Sequence, residues 1–314
     1  MLRRSRVVLT VLSLLAGLLV ATVPTATPAA AANNQPKPLS RTAVVTNNIQ
    51  GSTGGTDSKW GITVRGLIQN NDIVLLQEVG PGGPPAPDGQ PTNEQTPIVR
   101  NGATIRHFIW QVGAMQGPGP RGSGVALAQV YYLQTDNFGG TGTGGRVNIA
   151  IVTRDVPDDF MVVTNPNQRG RAALGVRFGT TWYFTIHGLA YGGPVNDSQD
   201  LLDAIDTDVN TAGAAAGVAY SYTVGGDFNV EPNQLAGANG LGIPPGSRII
   251  NSNRATQQNG RELDYFVSDD PTSPPTLANG RAAIRQNGAQ ADHYAVRMGA
   301  LRAASLPPSL DVMF

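Results

Sequence analysis

The alternation of hydrophobic runs and polar breaks along the chain predicts many short β-strands. Valine, isoleucine, leucine and aromatic residues cluster in short runs, which segments rich in Gly, Pro, Asn and Asp separate. Runs of this kind, bounded by turn residues, are typical of strands. The predicted strands are residues 42–48, 73–76, 104–112, 125–133, 148–153, 161–164, 172–178, 182–187, 220–224, 263–268 and 294–298.

Two segments instead carry the spacing of a helix. In the first, Trp60, Val64 and the pair 67–68 recur at helical intervals after Asp57 or Ser58, either of which is a suitable capping residue. The second covers residues 196–211, with spaced apolar residues at Leu201, Leu202, Ile205 and Val209. Residues 80–97 are rich in Pro and Gly and predict a loop. Many strands with two clear helices predict two β-sheets packed face to face, with helices outside.

The first 32 residues have the layout of a secretory signal peptide. Three arginines precede an uncharged, mostly apolar run at residues 7–23, and small residues follow, ending in four alanines at 29–32. A membrane anchor is the alternative, but the run is short for a span and two prolines follow it. We therefore expect cleavage after Ala31 or Ala32, a secreted mature protein, and no membrane span after cleavage.

Composition changes this picture in two ways. Removing the three arginines of residues 1–32 leaves 19 basic against 22 acidic residues, a net charge of −3, so nucleic acid would have to be bound by a local site and not by a global positive field. The chain has no cysteine, which excludes thiol nucleophiles and zinc–thiolate sites.

Residues 33–41 are polar with two prolines and predict a flexible segment before the domain that begins at residue 42.

Polar side chains stand at the ends of several predicted strands, where a rigid platform can bring them together in a cleft. These positions are Asn48, Glu78, His187, Asp227 with Asn229, and Asp292 with His293. Carboxylate and amide oxygens without thiolates suit Mg²⁺, Mn²⁺ or Ca²⁺ better than Zn²⁺. The pattern therefore indicates a divalent-metal site.

Asp264 and the histidines refine that site. Asp264 lies within an apolar run, where a carboxylate needs a partner; an edge-strand charge facing water is the alternative. A histidine is a natural partner, because the pair would hold the imidazole in one tautomer. Of the three histidines, His107 fits a core residue, whereas His187 and His293 adjoin the acidic segments.

Six short motifs, in order, resemble those of the endonuclease/exonuclease/phosphatase superfamily over nearly all of the mature chain. They are Thr46-Asn47-Asn48-Ile49-Gln50-Gly51, Gln77-Glu78, Ile186-His187-Gly188-Leu189, Gly226-Asp227-Phe228-Asn229, Leu263-Asp264-Tyr265 and Ala291-Asp292-His293. Each alone is a weak signal, but six at compatible spacing are specific. The resemblance implies an α/β (α+β) fold, a DNase I-like four-layer sandwich of two mixed sheets flanked by helices, over residues 42–314.

Three further stretches look like the family of the DNase-like catalytic subunit of cytolethal distending toxin. They are residues 51–60, 146–154 and 170–177. There are departures from the superfamily pattern: Asn47 replaces an aromatic residue, Ala291 a serine and Ala295 a proline, and none of these removes a catalytic group.

The resemblance also implies a role for each candidate residue. The implied metal ligands are Glu78, Asn48 and Asp292; the implied catalytic residues are His187, Asp227, Asn229, Asp264 and His293; the implied phosphate contacts are Arg146 and Arg171. A solvated surface charge is the alternative for each arginine. The implied activity is that of a secreted, Mg²⁺-dependent deoxyribonuclease acting on DNA.

Other activities remain open on this scaffold, because the shared motifs handle the phosphate and say little about what is attached to it. One alternative is a phosphoinositide phosphatase or a sphingomyelinase-like phosphoesterase; another is a relative that binds without catalysis. Toxin proteins of this family act with delivery partners, and no separate lectin-like domain is evident here.

Overall fold

The computed structural model describes residues 39–51, 59–80, 93–113, 126–135, 147–190, 197–238, 242–273 and 292–298. They belong to one compact unit, Asn33–Phe314. The predicted signal peptide, the capping Asp57 or Ser58, Arg146 and Ala291 lie outside the described residues. Within the described part of the chain, no helix is long and apolar enough to cross a membrane.

The first sheet contains strands from both ends of the domain. Its strands are β1 Val44–Asn48, β2 Ile73–Gln77, β3 Asn93–Glu94, β4 Ile98–Arg100, β5 Ala103–Gly113, β6 Ala126–Leu133, β7 Ile149–Thr153 and β14 Val296–Met298. The order is β14-β1-β2-β7-β6-β5-β3, with β4 also on β5. Only β1 and β2 run parallel among these pairs, so the sheet is mixed.

The second sheet is formed by the middle of the chain. Its strands are β8 Asp159–Val163, β9 Ala173–Phe178, β10 Thr181–His187, β11 Ser221–Asp227, β12 Arg248–Ile250 and β13 Asp264–Ser268. The order is β12-β13-β11-β10-β9-β8. Strands β10 and β11 are parallel and the other pairs antiparallel, so this sheet is mixed as well.

Alternation along β2 shows how the layers pack. Ile73 and Leu75 belong to the core cluster that also contains Tyr183 and Phe266 of the second sheet. Residues 74 and 76, on the opposite face, pack in a separate cluster with the first helical segment. Because successive strand residues point to opposite faces, a strand buried on both sides reads as a continuous apolar run.

The helices cover the outer faces. A π-helical segment Lys59–Val64 continues into α1 Arg65–Asn70, and its Trp60 meets Trp110 of β5 edge to face with ring centroids 5.7 Å apart. The second helix, α2 Ser198–Ala216, packs its apolar side on the second sheet. The layers are therefore helix, sheet, sheet, helix, which confirms the predicted α+β sandwich of two mixed sheets.

Several element boundaries differ from the expectation. The loop predicted over residues 80–97 is wrong at β3, where Asn93 and Glu94 pair with β5 although both are exposed and polar. Strands β4 and β12 were not predicted, since three residues are too few for a period to show. Helix α2 runs on to Ala216 through alanines, and Gly217 ends it in the left-handed conformation (φ 66°).

Candidate active site at the joined strand ends

Strand direction brings the candidate residues to one place. In the first sheet β1 pairs with β2 in parallel, so Asn48 lies beside Gln77 and Glu78 follows directly. In the second sheet His187 pairs with Asp227 across two parallel strands, and Asp227 faces Asp264 across antiparallel β13. The carboxyl ends of β1 and β2 in the first sheet and of β10 and β11 in the second meet at one edge of the sandwich, where Asn48 bonds Asp227.

Asn48 links the two sheets at the centre of the site. Its amide nitrogen donates to Asp227 Oδ2 at 3.0 Å and to Glu78 Oε1 at 3.3 Å. The His187 imidazole lies alongside, with Nε2 at 3.8 Å from Glu78 Oε1 and 3.7 Å from Asp227 Oδ2. Asn48, His187 and Asp227 are all buried. Two carboxylates, an amide and an imidazole thus converge on one small volume.

Asp264 and His293 form a buried pair beside this centre. His293 Nδ1 lies 2.7 Å from Asp264 Oδ2, and His293 Nε2 lies 3.7 Å from Asp227 Oδ2. The backbone amide of Asp264 donates to the hydroxyl of buried Thr256 at 2.9 Å. Because the carboxylate fixes Nδ1, the ring presents Nε2 to the site. The partner predicted for Asp264 is therefore the one the structure provides, and Asp264 is fully buried, which excludes a water-facing edge charge.

Asp292 is held from a different side. Gln50 donates its side-chain amide to Asp292 Oδ1 and accepts from the Asp292 backbone N–H at 2.9 Å. The Gln50 backbone N–H donates to Asn48 Oδ1 at 2.9 Å, and the Lys59 ammonium donates to the Gln50 carbonyl at 2.9 Å. Asp292 Oδ1 also lies 3.5 Å from His293 Nε2. Gln50 therefore couples Asp292 to Asn48.

The backbone is strained at three of these positions. Gln50, Glu78 and Asn229 adopt left-handed conformations, with φ of 52°, 50° and 53°. This region disfavours residues other than Gly, and such strain tends to persist at functional sites, where the surrounding structure enforces it. Stacking of Phe228 on Tyr265, with centroids 4.1 Å apart, anchors the turn that carries Asp227 and Asn229.

Asn229 and Arg171 close the side of the site near His187. Asn229 donates its backbone N–H to Asp227 Oδ1 at 3.0 Å and its side-chain amide to the Gly188 carbonyl at 2.9 Å. Arg171 Nη1 donates to the carbonyls of Gly188 at 2.9 Å and of His187 at 3.2 Å. These contacts direct the Arg171 guanidinium to the backbone behind the histidine.

Burial and neighbouring charges shift the pKa values of these groups. Burial raises the pKa of Asp227 to about 7, and the nearby Asp264 adds to the rise. Burial alone would lower the pKa of His293, but attraction to Asp264, Asp227 and Asp292 outweighs it and raises that pKa to about 9. Burial also raises the pKa of Asp264, against the attraction of His293. With this pKa His293 is protonated at neutral pH, and its Nε2 lies 3.7 Å from Asp227 Oδ2 and 3.2 Å from the side-chain amide of Gln257.

The His293 shift makes stability depend on pH. Its pKa is raised from 6.5 in the unfolded chain to about 9 in the fold, so in this window the folded protein holds a proton that the unfolded chain has released. The free energy of unfolding is therefore expected to fall as the pH rises from 6.5 to 9. Urea unfolding in EDTA measures this, and His293→Gln should flatten the slope. A wild-type stability that rose through this window, or an equal slope in the variant, would contradict the shift.

The donor set fits a hard divalent cation. The carboxylate oxygens of Glu78 and Asp227 face the same Asn48 amide, and such clustered oxygens are ligands that Mg²⁺, Mn²⁺ and Ca²⁺ prefer. Asp227, Asp264 and His293 also offer ligand atoms within 4.8 Å of one another. However, His293 Nδ1 and Asp264 Oδ2 already bond each other, which favours the Glu78 carboxylate as the place for an ion.

Most of the sequence-predicted site residues meet here. The structure brings together Asn48, Glu78, His187, Asp227, Asn229, Asp264, Asp292 and His293, and places Arg171 behind His187. Arg146 lies outside the described residues. Gln50 and Asp197 were assigned no role from the sequence. Gln50 lies two residues after Asn48 in a motif that was recognised, whereas Asp197 had no signal beyond its place in a segment predicted to be helical.

Known proteins are similar to this chain over most of its length. Residues 46–286 match the profile of the Endonuclease/Exonuclease/phosphatase family. The chain is 30% identical over 259 residues to the cytolethal distending toxin B subunit of Escherichia coli, covering 81% of this chain and 89% of that protein. It is 28% identical over 260 residues to the homolog of that protein in Salmonella typhi, covering 81% and 87%.

Solved structures of cytolethal distending toxin are similar to this chain in fold as well. The structure of the biologically active subunit of cytolethal distending toxin superposes with a TM-score of 0.65 at 29% identity, covering 83% of this chain and 98% of that one. A chain of the Actinobacillus actinomycetemcomitans toxin gives 0.66 at 28% identity, covering 84% and 100%. Both activities in the family's description, nuclease and phosphatase, break phosphoester bonds. By sequence and by fold, this chain belongs to the endonuclease/exonuclease/phosphatase family of phosphoester hydrolases.

Proposed function

We propose that this protein is a secreted, divalent-metal-dependent phosphodiesterase that cleaves DNA endonucleolytically. The observation that carries the proposal is the convergence of Glu78, Asp227 and the histidines 187 and 293, with Nε2-to-carboxylate distances of 3.7 to 3.8 Å. Phosphodiester hydrolysis needs an oriented water, stabilisation of charge on the phosphate, and a proton for the leaving oxygen. The cluster has a group for each requirement.

In this proposal the chain's own residues divide the chemistry. Asp227, with a pKa of about 7, accepts a proton from the attacking water, and Asn229 orients water and phosphate. Protonated His293, held by Asp264, donates from Nε2 to the phosphate or the leaving oxygen. His187, from the other side of Asp227, stabilises the same developing charge.

Glu78, Asn48 and Asp292 would hold the cation, with Mg²⁺ the first choice and Mn²⁺ or Ca²⁺ as substitutes. Glu78 contributes a carboxylate whose side chain is 14% exposed, and Asp292 a more open one at 42%. Asn48 is fully buried and fixes the direction of the Glu78 carboxylate through its amide. A bound cation would act as a Lewis acid on a phosphate oxygen.

Export and partners are part of the same proposal. The arginines and apolar run of residues 1–32 support a cleaved signal peptide, followed by the segment 33–41 and the catalytic domain 42–314. The flexibility expected for residues 33–41 is wrong at its end, because residues 39–41 form a short 3-10 helix and Leu39 is buried in the core between the sheets. The relatives are subunits of a toxin, which supports a toxin-like role and leaves a scavenging nuclease as the other outcome. Delivery subunits would be separate chains.

The similarity to toxin subunits supports DNA as the substrate, and parallel assays on competing substrates test this choice. The similarity to the toxin's biologically active subunit over 83% of the chain favours DNA, although the mature net charge of −3 does not help binding to a polyanion. We would assay the mature protein with Mg²⁺ against three substrates in parallel: linear duplex DNA, a phosphoinositide and sphingomyelin. Turnover of DNA at least about tenfold faster than of either lipid is expected, a margin of about 1.4 kcal/mol in transition-state binding. Preference for a lipid would refute the DNA assignment, and metal binding without any turnover would indicate a non-catalytic relative.

A further inference from the structure

The buried carboxylate of Asp197 lies outside the motifs of the active site but close behind it. Asp197 is fully buried immediately before α2, where an Asp would usually cap the helix, yet its side chain makes no cap hydrogen bond. Instead Oδ1 accepts the backbone N–H of Leu189 at 2.7 Å, and Oδ2 accepts the side-chain amide of Asn165 at 2.8 Å. The carboxylate therefore ties two loops together and does not cap the helix.

Those two loops flank His187. Leu189 follows His187 by two residues, and the Asn165 amide also donates to the Arg171 carbonyl at 3.2 Å. Arg171 in turn donates from Nη1 to the carbonyls of His187 and Gly188. Asp197, Asn165 and Arg171 thus form a continuous polar network that ends on the backbone of the histidine.

The opposite charges of Asp197 and Arg171, at the two ends of this network, also interact. Burial raises the pKa of Asp197, the hydrogen bonds from Leu189 and Asn165 oppose that rise, and the positive charge of Arg171 adds a smaller opposing contribution. A buried carboxylate near a guanidinium that bonds two carbonyls stabilises the cation in that position. The hydrogen bonds that Arg171 donates, together with the negative charge of Asp197, therefore hold its guanidinium toward the backbone of His187.

The surrounding chain leaves little room for adjustment. A side chain at Gly188 would place its Cβ 2.4 Å from the Phe228 carbonyl and 2.5 Å from the Ser198 hydroxyl, so the chain after β10 and the chain after β11 approach each other closely. The Gly188 carbonyl also accepts the Asn229 amide at 2.9 Å. Arg171 and Asn229 therefore converge on one carbonyl between His187 and the Asp227 turn.

From these contacts we infer that Asp197 and Arg171 are positioning residues, which act through Asn165 and the 187–188 backbone to aim the His187 imidazole. This differs from the role of Arg171 as a phosphate contact that the resemblance implied. The inference rests on the proposed hydrolase function for its kinetic test, and it also has a test that needs no activity.

Kinetics separates the two roles of Arg171. A residue that binds substrate phosphate equally in the ground state and the transition state affects KM, whereas one that aims a catalytic group affects kcat. We expect Arg171→Gln and Asp197→Asn each to lower kcat on duplex DNA by about ten- to hundredfold, the range for residues that orient catalytic ligands, with KM within about twofold. The double variant should lose little more than Arg171→Gln alone, because both act through one network.

The matched control is Asp200→Asn, an exposed aspartate in the first turn of the same helix. It should leave kcat and KM unchanged. A rise in KM with unchanged kcat in Arg171→Gln, together with wild-type kinetics in Asp197→Asn, would overturn the inference and return Arg171 to phosphate binding. If Asp197→Asn fails to fold by circular dichroism, the kcat and KM of Arg171→Gln decide alone.

Hydrogen exchange supplies the test that is independent of turnover. In the labelled mature protein, the Leu189 amide bonded by Asp197 should exchange at least about tenfold faster in Asp197→Ala, and the Gly188 amide should also lose protection in Arg171→Gln. Unchanged protection in both variants would refute the positioning network whatever the substrate. If wild-type protein cleaves no DNA but these amides respond as expected, the proposed function fails and the network stands.

Discussion

Replacing His293 with glutamine is expected to lower the rate of DNA hydrolysis by about two to four orders of magnitude, the range for losing general acid–base help. Glutamine keeps an amide of similar reach but cannot carry the proton that Asp264, Asp227 and Asp292 stabilise on the imidazole. His187→Ala should cause a loss in the same range, since His187 reaches Asp227 from the other side at 3.7 Å. Single-turnover cleavage of a duplex oligonucleotide measures both losses.

The control for these variants is the third histidine. His107 on β5 bonds Gln129 at 2.8 Å and stacks on Tyr131, away from the strand ends that form the site. His107→Gln should therefore cleave DNA at close to the wild-type rate. Near wild-type cleavage by His293→Gln, with the fold intact by circular dichroism, would remove that residue from the mechanism.

The second large effect concerns the metal. Glu78→Gln should raise the Mg²⁺ concentration for half-maximal activity at least about tenfold, because the neutral amide loses the anionic ligand that a hard cation prefers. Calorimetric titration of Mg²⁺ into the protein should show the same weakening without substrate. Since the Asn48 amide donates to Glu78, it can donate equally to the carbonyl oxygen of the substituted side chain, which keeps local packing similar.

Glu94→Gln is the matched control for the metal experiment. Glu94 forms an exposed pair with Arg106 at 2.7 Å on the edge strand β3, so its neutralisation should leave Mg²⁺ dependence unchanged. Equal Mg²⁺ affinity in Glu78→Gln and wild type would contradict the assignment of Glu78 as a ligand. Activity that persisted in EDTA would contradict the metal requirement itself.

The layers and the strand ends could be predicted from the sequence. Residues 73–76 are apolar at every position because β2 is buried on both faces, and this pattern identified it as a fully apolar strand. Motif order then indicated that Asn48, Asp227 and His293 belong to one site. Asn48 and Asp227 stand at the carboxyl ends of strands in parallel pairs, and His293 precedes β14, which runs antiparallel to β1. The need of Asp264 for a partner followed from its apolar neighbours alone.

Other features depend on contacts between distant parts of the chain. Gln50 bonds Asp292 across 242 residues, and no local pattern encodes such a pairing. The short strands β3 and β12 exist only because neighbouring strands are there to pair with them. Asp197 directly precedes α2, and only the fold shows that its carboxylate faces Leu189 and Asn165 instead of the helix end.

The most direct test of the central claim is conversion of supercoiled plasmid to nicked circles by the purified mature protein with Mg²⁺. EDTA and His187→Ala serve as parallel controls. We expect nicking that grows with time and that both controls abolish. A folded, Mg²⁺-binding wild-type protein that leaves the plasmid supercoiled would contradict the claim that this family member is a metal-dependent DNA endonuclease.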